Sequence, residues 1–312
     1  MPDSPAKLSL PDPSRAVTCE IFHDDLGGTG IKLYVKREDL IHEFISGNKW
    51  RKLKYNLEEA HRLGYKKLLT FGGAYSNHIY ATAAAGVLSG FETIGVIRGE
   101  SHDELNPTLR FATEYGMSLQ YISRQDYREK YSVVNLEKLK KRHGEFYLIP
   151  EGGSNGLALE GCIEMVNELE DEYDLICLPC GTGGTLAGLL EGLTGKSFVL
   201  GFPVLRDGSF LRNEIDKLTG KFSGRTYNNY RLNTKYSFGG YAKFNESLIN
   251  FINGFKKEAG IPLDPVYTGK MMFGIFDLVR KGRLKNMKIL VLHTGGLQGI
   301  AGFNERFGGI IF

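Results

Sequence analysis

The stretch Leu175-Ile176-Cys177-Leu178-Pro179-Cys180-Gly181-Thr182-Gly183-Gly184-Thr185 decides how this chain is read. Its apolar start, Leu175–Leu178, reads as a buried strand, and Thr185–Leu193 reads as a helix. The glycine-rich turn between them folds tightly. Its N–H groups, the helix N-terminus and the hydroxyls of Thr182 and Thr185 make an anion site. Two familiar phosphate fingerprints fail here. The dinucleotide pattern needs Gly or Ala at Leu186, and the P-loop needs Gly at Leu190 ahead of Gly195-Lys196-Ser197. A phosphate cup of another type remains, set against a tight turn that binds nothing.

The same alternation runs outward in both directions. Strands are expected at Lys32–Lys36, Lys67–Phe71, Thr93–Ile97, Leu119–Ile122, Phe146–Ile149, Phe198–Phe202 and Lys288–Leu292. Helices are expected at Asn48–Arg62, Asn77–Leu88, Pro107–Tyr115, Val133–Arg142, Leu159–Leu169 and Glu246–Glu258. Strands alternating with helices predict an α/β protein with open, mostly parallel twisted sheets covered by helices. The stretch Thr219–Gly240 is rich in Gly, Asn and Tyr and reads as loop or active-site cover.

Composition narrows the classes. The chain has 312 residues, 42% hydrophobic and 24% charged, which is ordinary globular usage and enough for two domains. A net charge of +3 without a long basic block gives no reason to expect a nucleic-acid partner. The cluster Lys138–Arg142 reads as a solvated helix face. The polar stretch 1–14 has no apolar leader core, and no apolar run approaches the roughly 20 residues of a membrane span. A cytoplasmic location and no membrane partner are therefore expected. Four cysteines make no disulfide framework. Cys177 and Cys180 form a C-x-x-C without a second ligand pair, so they read as small core residues, and no metal site is expected.

In open parallel sheets, ligands bind beyond the carboxyl ends of strands, and three further segments fall there. In Ser46-Gly47-Asn48-Lys49-Trp50-Arg51-Lys52-Leu53, Lys49 and Lys52 share a helix face while Trp50 and Leu53 serve the core. The positive end of the helix dipole would lower the Lys49 pKa, as a Schiff-base lysine needs. Alone, the segment reads better as a solvated surface lysine. In Gly72-Gly73-Ala74-Tyr75-Ser76-Asn77-His78, Ser76 or Asn77 reads as a helix cap. The last group joins Gly239-Gly240-Tyr241, Asp264–Lys270 with Tyr267, and His293-Thr294-Gly295-Gly296. Tyrosines there are ordinarily core or rim residues.

Taken in order, these segments, together with Lys36-Arg37-Glu38-Asp39-Leu40, resemble one family. It comprises the 1-aminocyclopropane-1-carboxylate (ACC) deaminases and D-cysteine desulfhydrases, pyridoxal phosphate (PLP) enzymes of the tryptophan synthase β-like class, fold type II. The resemblance covers about Lys32–Thr294. It implies PLP in a cleft between a large domain (1–55 plus 153–312) and a small one (56–152), an amino-acid substrate and a homodimer. It implies Lys49 as the Schiff-base lysine, and Lys52 with Gly181, Thr182, Gly183, Gly184 and Thr185 as phosphate ligands. Asn77 would bond the cofactor's phenolic oxygen. Ser76, with Asn77 and His78, would hold the substrate carboxylate and shuttle protons. Tyr241 and Tyr267 would be the active-site tyrosines. Thr268 would face the pyridine nitrogen, with Thr294 nearby.

Thr268 also bears on the choice of reaction. ACC deaminases resembling this chain carry Glu there, and a carboxylate keeps the ring nitrogen protonated and the electron sink deep. A neutral hydroxyl suits β-elimination from D-cysteine to pyruvate, ammonia and sulfide better than cyclopropane opening. ACC deamination to 2-oxobutyrate stays the alternative. A non-catalytic phosphate-ligand binder is the alternative from another class, disfavoured by the retained Lys49. After Gly296 the chain departs from the family pattern, at Leu297-Gln298-Gly299.

Overall fold

All six residues of Leu175–Cys180 are buried, as a strand covered on both faces requires. The computed structural model, which describes residues 8–101 and 103–312, places this strand inside a six-stranded sheet. The polar stretch read at 1–14 therefore lies partly outside the described residues. In chain order the strands are β1 Thr18–Ile21, β2 Lys32–Lys36, β3 Lys67–Gly72, β4 Glu92–Arg98, β5 Met117–Ile122, β6 Tyr147–Ile149, β7 Leu175–Cys180, β8 Phe198–Pro203, β9 Tyr230–Leu232 and β10 Lys288–Leu292. The helices are α1 Asn48–Arg62, α2 Asn77–Ser89, α3 Pro107–Glu114, α4 Arg124–Arg128, α5 Val133–His143, α6 Gly156–Asn167, α7 Gly184–Leu193, α8 Leu211–Ser223, α9 Glu246–Ala259, α10 Thr268–Arg280 and α11 Gly299–Phe307.

The first sheet has the order β1-β2-β10-β7-β8-β9 and is parallel except for β1. One face packs on α9 and α10 through Leu248, Ile252, Met271, Met272, Ile275 and Phe276. The other packs on α6, α7 and α8 through Leu159, Leu186, Leu190 and Ile215. The second sheet, β5-β4-β3-β6, is wholly parallel and built from Lys67–Ile149. The expected α/β class with mostly parallel, helix-covered sheets is what the molecule has.

Topology places the site. The last strand, β10, inserts between β2 and β7, so Val291 pairs with both Val35 and Cys177. In the second sheet β4 and β5 lie on one side of β3 and β6 on the other. Each sheet thus has a switch point where loops leave in opposite directions and open a crevice. The loops after β10 and β7 face those after β3 and β6 across one cavity.

Several elements went unread in the sequence. The stretch Thr219–Gly240 is not all loop, because it contains the last turn of α8 and the edge strand β9. Strand β1 buries only one of its four residues, and α8 buries only Leu211, Ile215 and Thr219, so each carries a thin apolar signal. Helix α10 starts at Thr268, inside the segment read as a tyrosine-bearing loop. Helix α11 covers Gly299–Phe307, where the sequence leaves the family pattern.

Candidate active site

A cavity of about 820 Å³ lies between the two sets of loops. Lys49, Lys52, Ser76, Asn77, His78, Gly181, Thr182, Gly183, Thr185, Tyr241, Tyr267 and Thr294 line it. These are the residues expected from sequence, except that Thr268 is absent from the walls and Gly184 lies behind Lys52 and Ser154.

Lys49 is the second residue of α1 and Lys52 the fifth, so both project to one side. Gly47, at φ 62°, starts the helix against the Thr294 carbonyl, where a Cβ would clash. The Lys49 amine donates to Asn48 Oδ1 (3.1 Å), and the Asn48 amide donates to Thr185 Oγ1 (2.8 Å). Burial, then repulsion from Lys52, lowers the Lys49 pKa to about 7. The direction matches the sequence expectation, and burial is the largest cause.

At one end of the cavity the Lys52 amine donates to Gly152 O and, at 3.0 Å, to Ser154 Oγ. The Ser154 and Thr182 hydroxyls are 2.7 Å apart. Gly183, at φ 80°, turns the chain into α7, and no side chain caps that helix. Backbone N–H groups, two hydroxyls and a lysine therefore converge where a dianion fits. The glycines make the space. A Cβ on Gly184 would meet Ser154 Oγ at 2.5 Å, and one on Gly152 would meet the Thr182 side chain at 2.7 Å.

Ser76 is both the helix cap and a cavity residue. Its oxygen accepts from His78 N (3.2 Å) and Ile79 N (3.3 Å), which leaves its O–H free for the cavity. Asn77 presents an amide that makes no protein hydrogen bond among the described residues. His78 is buried and tethered to the sheet. Thr70 gives its proton to Ile149 O, so it accepts from His78 Nε2 (2.8 Å). That fixes the Nε2–H tautomer and leaves Nδ1 without a partner. Burial and the nearby lysines hold the His78 pKa well below the usual range, so the ring is neutral.

Another part of the cavity wall carries the tyrosines. The rings of Tyr241 and Tyr267 meet edge to face at 6.1 Å, and the Tyr241 hydroxyl donates to Tyr75 O (3.1 Å). Burial pushes the Tyr241 pKa up to about 12 and that of Tyr267 well above its ordinary value. Both phenols keep their protons at neutral pH. Gly181 lies against Tyr267, and a Cβ there would crowd its ring edge at 3.3 Å.

Thr268 is the correction. It is fully buried. Its hydroxyl donates to Asp264 Oδ1 (2.7 Å) and accepts from Asp264 N (2.9 Å). The Asp264 carboxylate also accepts from the N–H groups of Val266, Tyr267 and Thr268. Both groups are spent on starting α10. Thr294, at the end of β10, lines the cavity instead, and its hydroxyl makes no protein hydrogen bond among the described residues.

A model of the pyridoxal-phosphate-dependent enzymes matches residues 13–206. The chain belongs to that family. A bifunctional D-cysteine desulfhydrase/ACC deaminase of Arabidopsis thaliana is 30% identical over 87% of this chain and 74% of its own. A Pyrococcus horikoshii relative, provisionally named an ACC deaminase, is 34% identical over 89% of this chain and 88% of its own. A crystal structure of an ACC deaminase homologue superposes with a TM-score of 0.84 at 30% identity, covering 97% of this chain and 96% of that one. The chain is thus a PLP-dependent enzyme. Its cavity suits the cofactor chemically, with a dianion cup at one end and a lysine of lowered pKa beside it.

Four contributors escaped the sequence reading: Asn48, Gly152, Ser154 and Asp264. Gly152 and Ser154 follow β6, the same strand-to-helix position that marked the other segments. Cys177 and Cys180 point to opposite faces of β7 and belong to separate cores. They are free thiols whose pKa values burial pushes up.

Proposed function

We propose that the chain catalyses β-elimination from a small amino acid, D-cysteine with water giving pyruvate, ammonia and sulfide. The observation that carries this reading is Thr294. It is a neutral hydroxyl on the cavity wall at the end of β10, with no protein hydrogen bond among the described residues, and the buried Asp264 carboxylate is consumed by its own loop. A neutral partner at the ring nitrogen favours elimination over ring opening of ACC. The cofactor, when bound, supplies an electron sink for charge at the substrate Cα.

The chain's own residues do the rest. Lys52, Ser154, Thr182 and the N–H groups of Gly183–Thr185 hold the phosphate. Lys49 would hold the cofactor covalently, and its amine would move the proton at the substrate Cα, a task matched to a pKa of about 7. The Ser76 hydroxyl and the Asn77 backbone N–H receive the substrate carboxylate, since the N–H groups of His78 and Ile79 are taken by the Ser76 cap. The Asn77 amide holds the cofactor's phenolic oxygen. Tyr267 or Tyr241, both protonated at neutral pH, gives a proton to the leaving sulfur. The division into domains 1–55 plus 153–312 and 56–152, and a homodimer, complete the proposal.

The names of the relatives support ACC deamination as the second reading. Assaying pyruvate and sulfide from D-cysteine against 2-oxobutyrate from ACC separates the two. Sulfide release with negligible oxobutyrate is expected, and the reverse overturns the Thr294 reading.

A further inference from the structure

Tyr241 sits on a loop whose backbone is not at ease. Phe238, Gly239, Gly240 and Ala242 all have positive φ, at 54°, 93°, 125° and 53°. Phe238 and Ala242 carry side chains there, a conformation that L residues rarely adopt without support. Two successive turns form the loop. Gly240 N donates to Ser237 O (3.0 Å), and Lys243 N donates to Gly240 O (3.1 Å).

Both of those carbonyls also receive Lys270. This lysine, 1% exposed, is the third residue of α10. Its amine donates to Ser237 O (2.8 Å) and Gly240 O (2.7 Å). No carboxylate lies within ion-pair distance of it among the described residues. A lysine buried without a counter-ion is costly, and burial lowers its pKa to about 8. In either protonation state it keeps the two N–H bonds that the loop uses.

We infer that Lys270 is a positioning residue, which clamps the strained loop 237–243 through the carbonyls of Ser237 and Gly240 and so holds the Tyr241 hydroxyl at the cavity. It does not line the cavity itself. It acts only through Tyr241, whose role rests on the function proposed above. Helix α10 then serves both tyrosines, as Asp264 and Thr268 set its start behind Tyr267 and Lys270 reaches across to Tyr241.

The test is a double-mutant cycle on the holoenzyme with D-cysteine, using Lys270→Met, Tyr241→Phe and both together. Each single change is expected to lower kcat by about 100-fold, with the bound-cofactor absorbance unchanged. The double variant is expected to fall no further, because both changes remove the same group from its place. Losses that multiply overturn the inference. A second arm needs no activity. Trypsin cleavage after Lys235 or Lys243, which flank the strained run, is expected to speed up in Lys270→Met and not in Tyr241→Phe. Cleavage at the wild-type rate overturns the clamp. Should neither D-cysteine nor ACC be turned over, the role of Tyr241 falls and cleavage alone decides the clamp. Should Lys270→Met fail to fold, Lys270→Leu, a smaller apolar side chain that likewise offers no donor, carries both arms with the same expectations.

Discussion

The two ends of the cavity are built by opposite means. At the lysine end, α1 is anchored by buried charge. Arg51, fully buried, donates to both oxygens of buried Glu38 at 3.0 Å and to Glu168 at the end of α6. Lys36 joins the cluster 3.3 Å from Glu168. Gly161 lets α6 approach the Arg51 carbonyl closer than any Cβ would allow. At the tyrosine end, Tyr241 is 38% exposed on a strained loop held by Lys270 and by one bond to Tyr75 O. The lysine end is fixed before any ligand arrives. The tyrosine end rests on a few hydrogen bonds across the cavity.

The largest effect should come from Lys49→Ala. The absorbance of bound cofactor should disappear and activity should fall by about 10²–10⁴-fold or more, while the melting temperature of the cofactor-free protein changes little. A variant that still takes up the cofactor with the same spectrum would remove Lys49 from its assigned place. Arg51→Met comes next. It leaves the Glu38 carboxylate buried without its partner, at a cost of about 3–5 kcal/mol in chemical denaturation. Destabilisation under 1 kcal/mol would mean that the lysine end is not anchored by charge, and the contrast between the two ends would fail.

A finer test separates the two threonines. Thr268→Val removes a donor and an acceptor from the buried Asp264 turn, so it should cost about 1–3 kcal/mol of stability and leave the cofactor spectrum as it was. Thr294→Val should do the converse, shifting the spectrum with little loss of stability. If Thr268→Val alone moves the spectrum, the reading of the ring-nitrogen partner returns to Thr268.

What the sequence made legible follows the same division. Alternating apolar strands and helices reported the sheets because the central strands are buried on both faces, as Leu175–Cys180 shows. Strand-to-helix loops reported the cavity because glycines and hydroxyls gather where the chain must turn close to an anion. Buried polar partners were illegible. Arg51 and Glu38 look like surface charges until the close crossing of α1 and α6 encloses them. Lys270 looks like a loop lysine until α10 is seen to begin at Thr268. Thr268 itself was misplaced because its position beside Tyr267 says nothing of which way the hydroxyl turns. Asp264 draws it into the helix start. Ser154 was passed over although the strand ahead of it was expected, because a lone serine in a loop carries no mark of an anion site.

The mildest expected effect is on pH, and it reads the lysine end directly. Capture of the cofactor's aldehyde needs Lys49 as the neutral amine. Its folded pKa of about 7 lies below the ordinary 10.5, so the reactive form is scarce below pH 7 and dominant above it. Uptake of PLP by cofactor-free protein, followed by absorbance, should rise about tenfold between pH 6 and 8 and then level off. An unshifted lysine would keep gaining tenfold per unit past pH 9. Lys52→Gln removes the second cause of the shift, the neighbouring positive charge, so the midpoint should move up while uptake weakens. A midpoint that stays put in Lys52→Gln would leave burial alone as the cause and make the pairing of the two lysines on one face of α1 a matter of phosphate binding only.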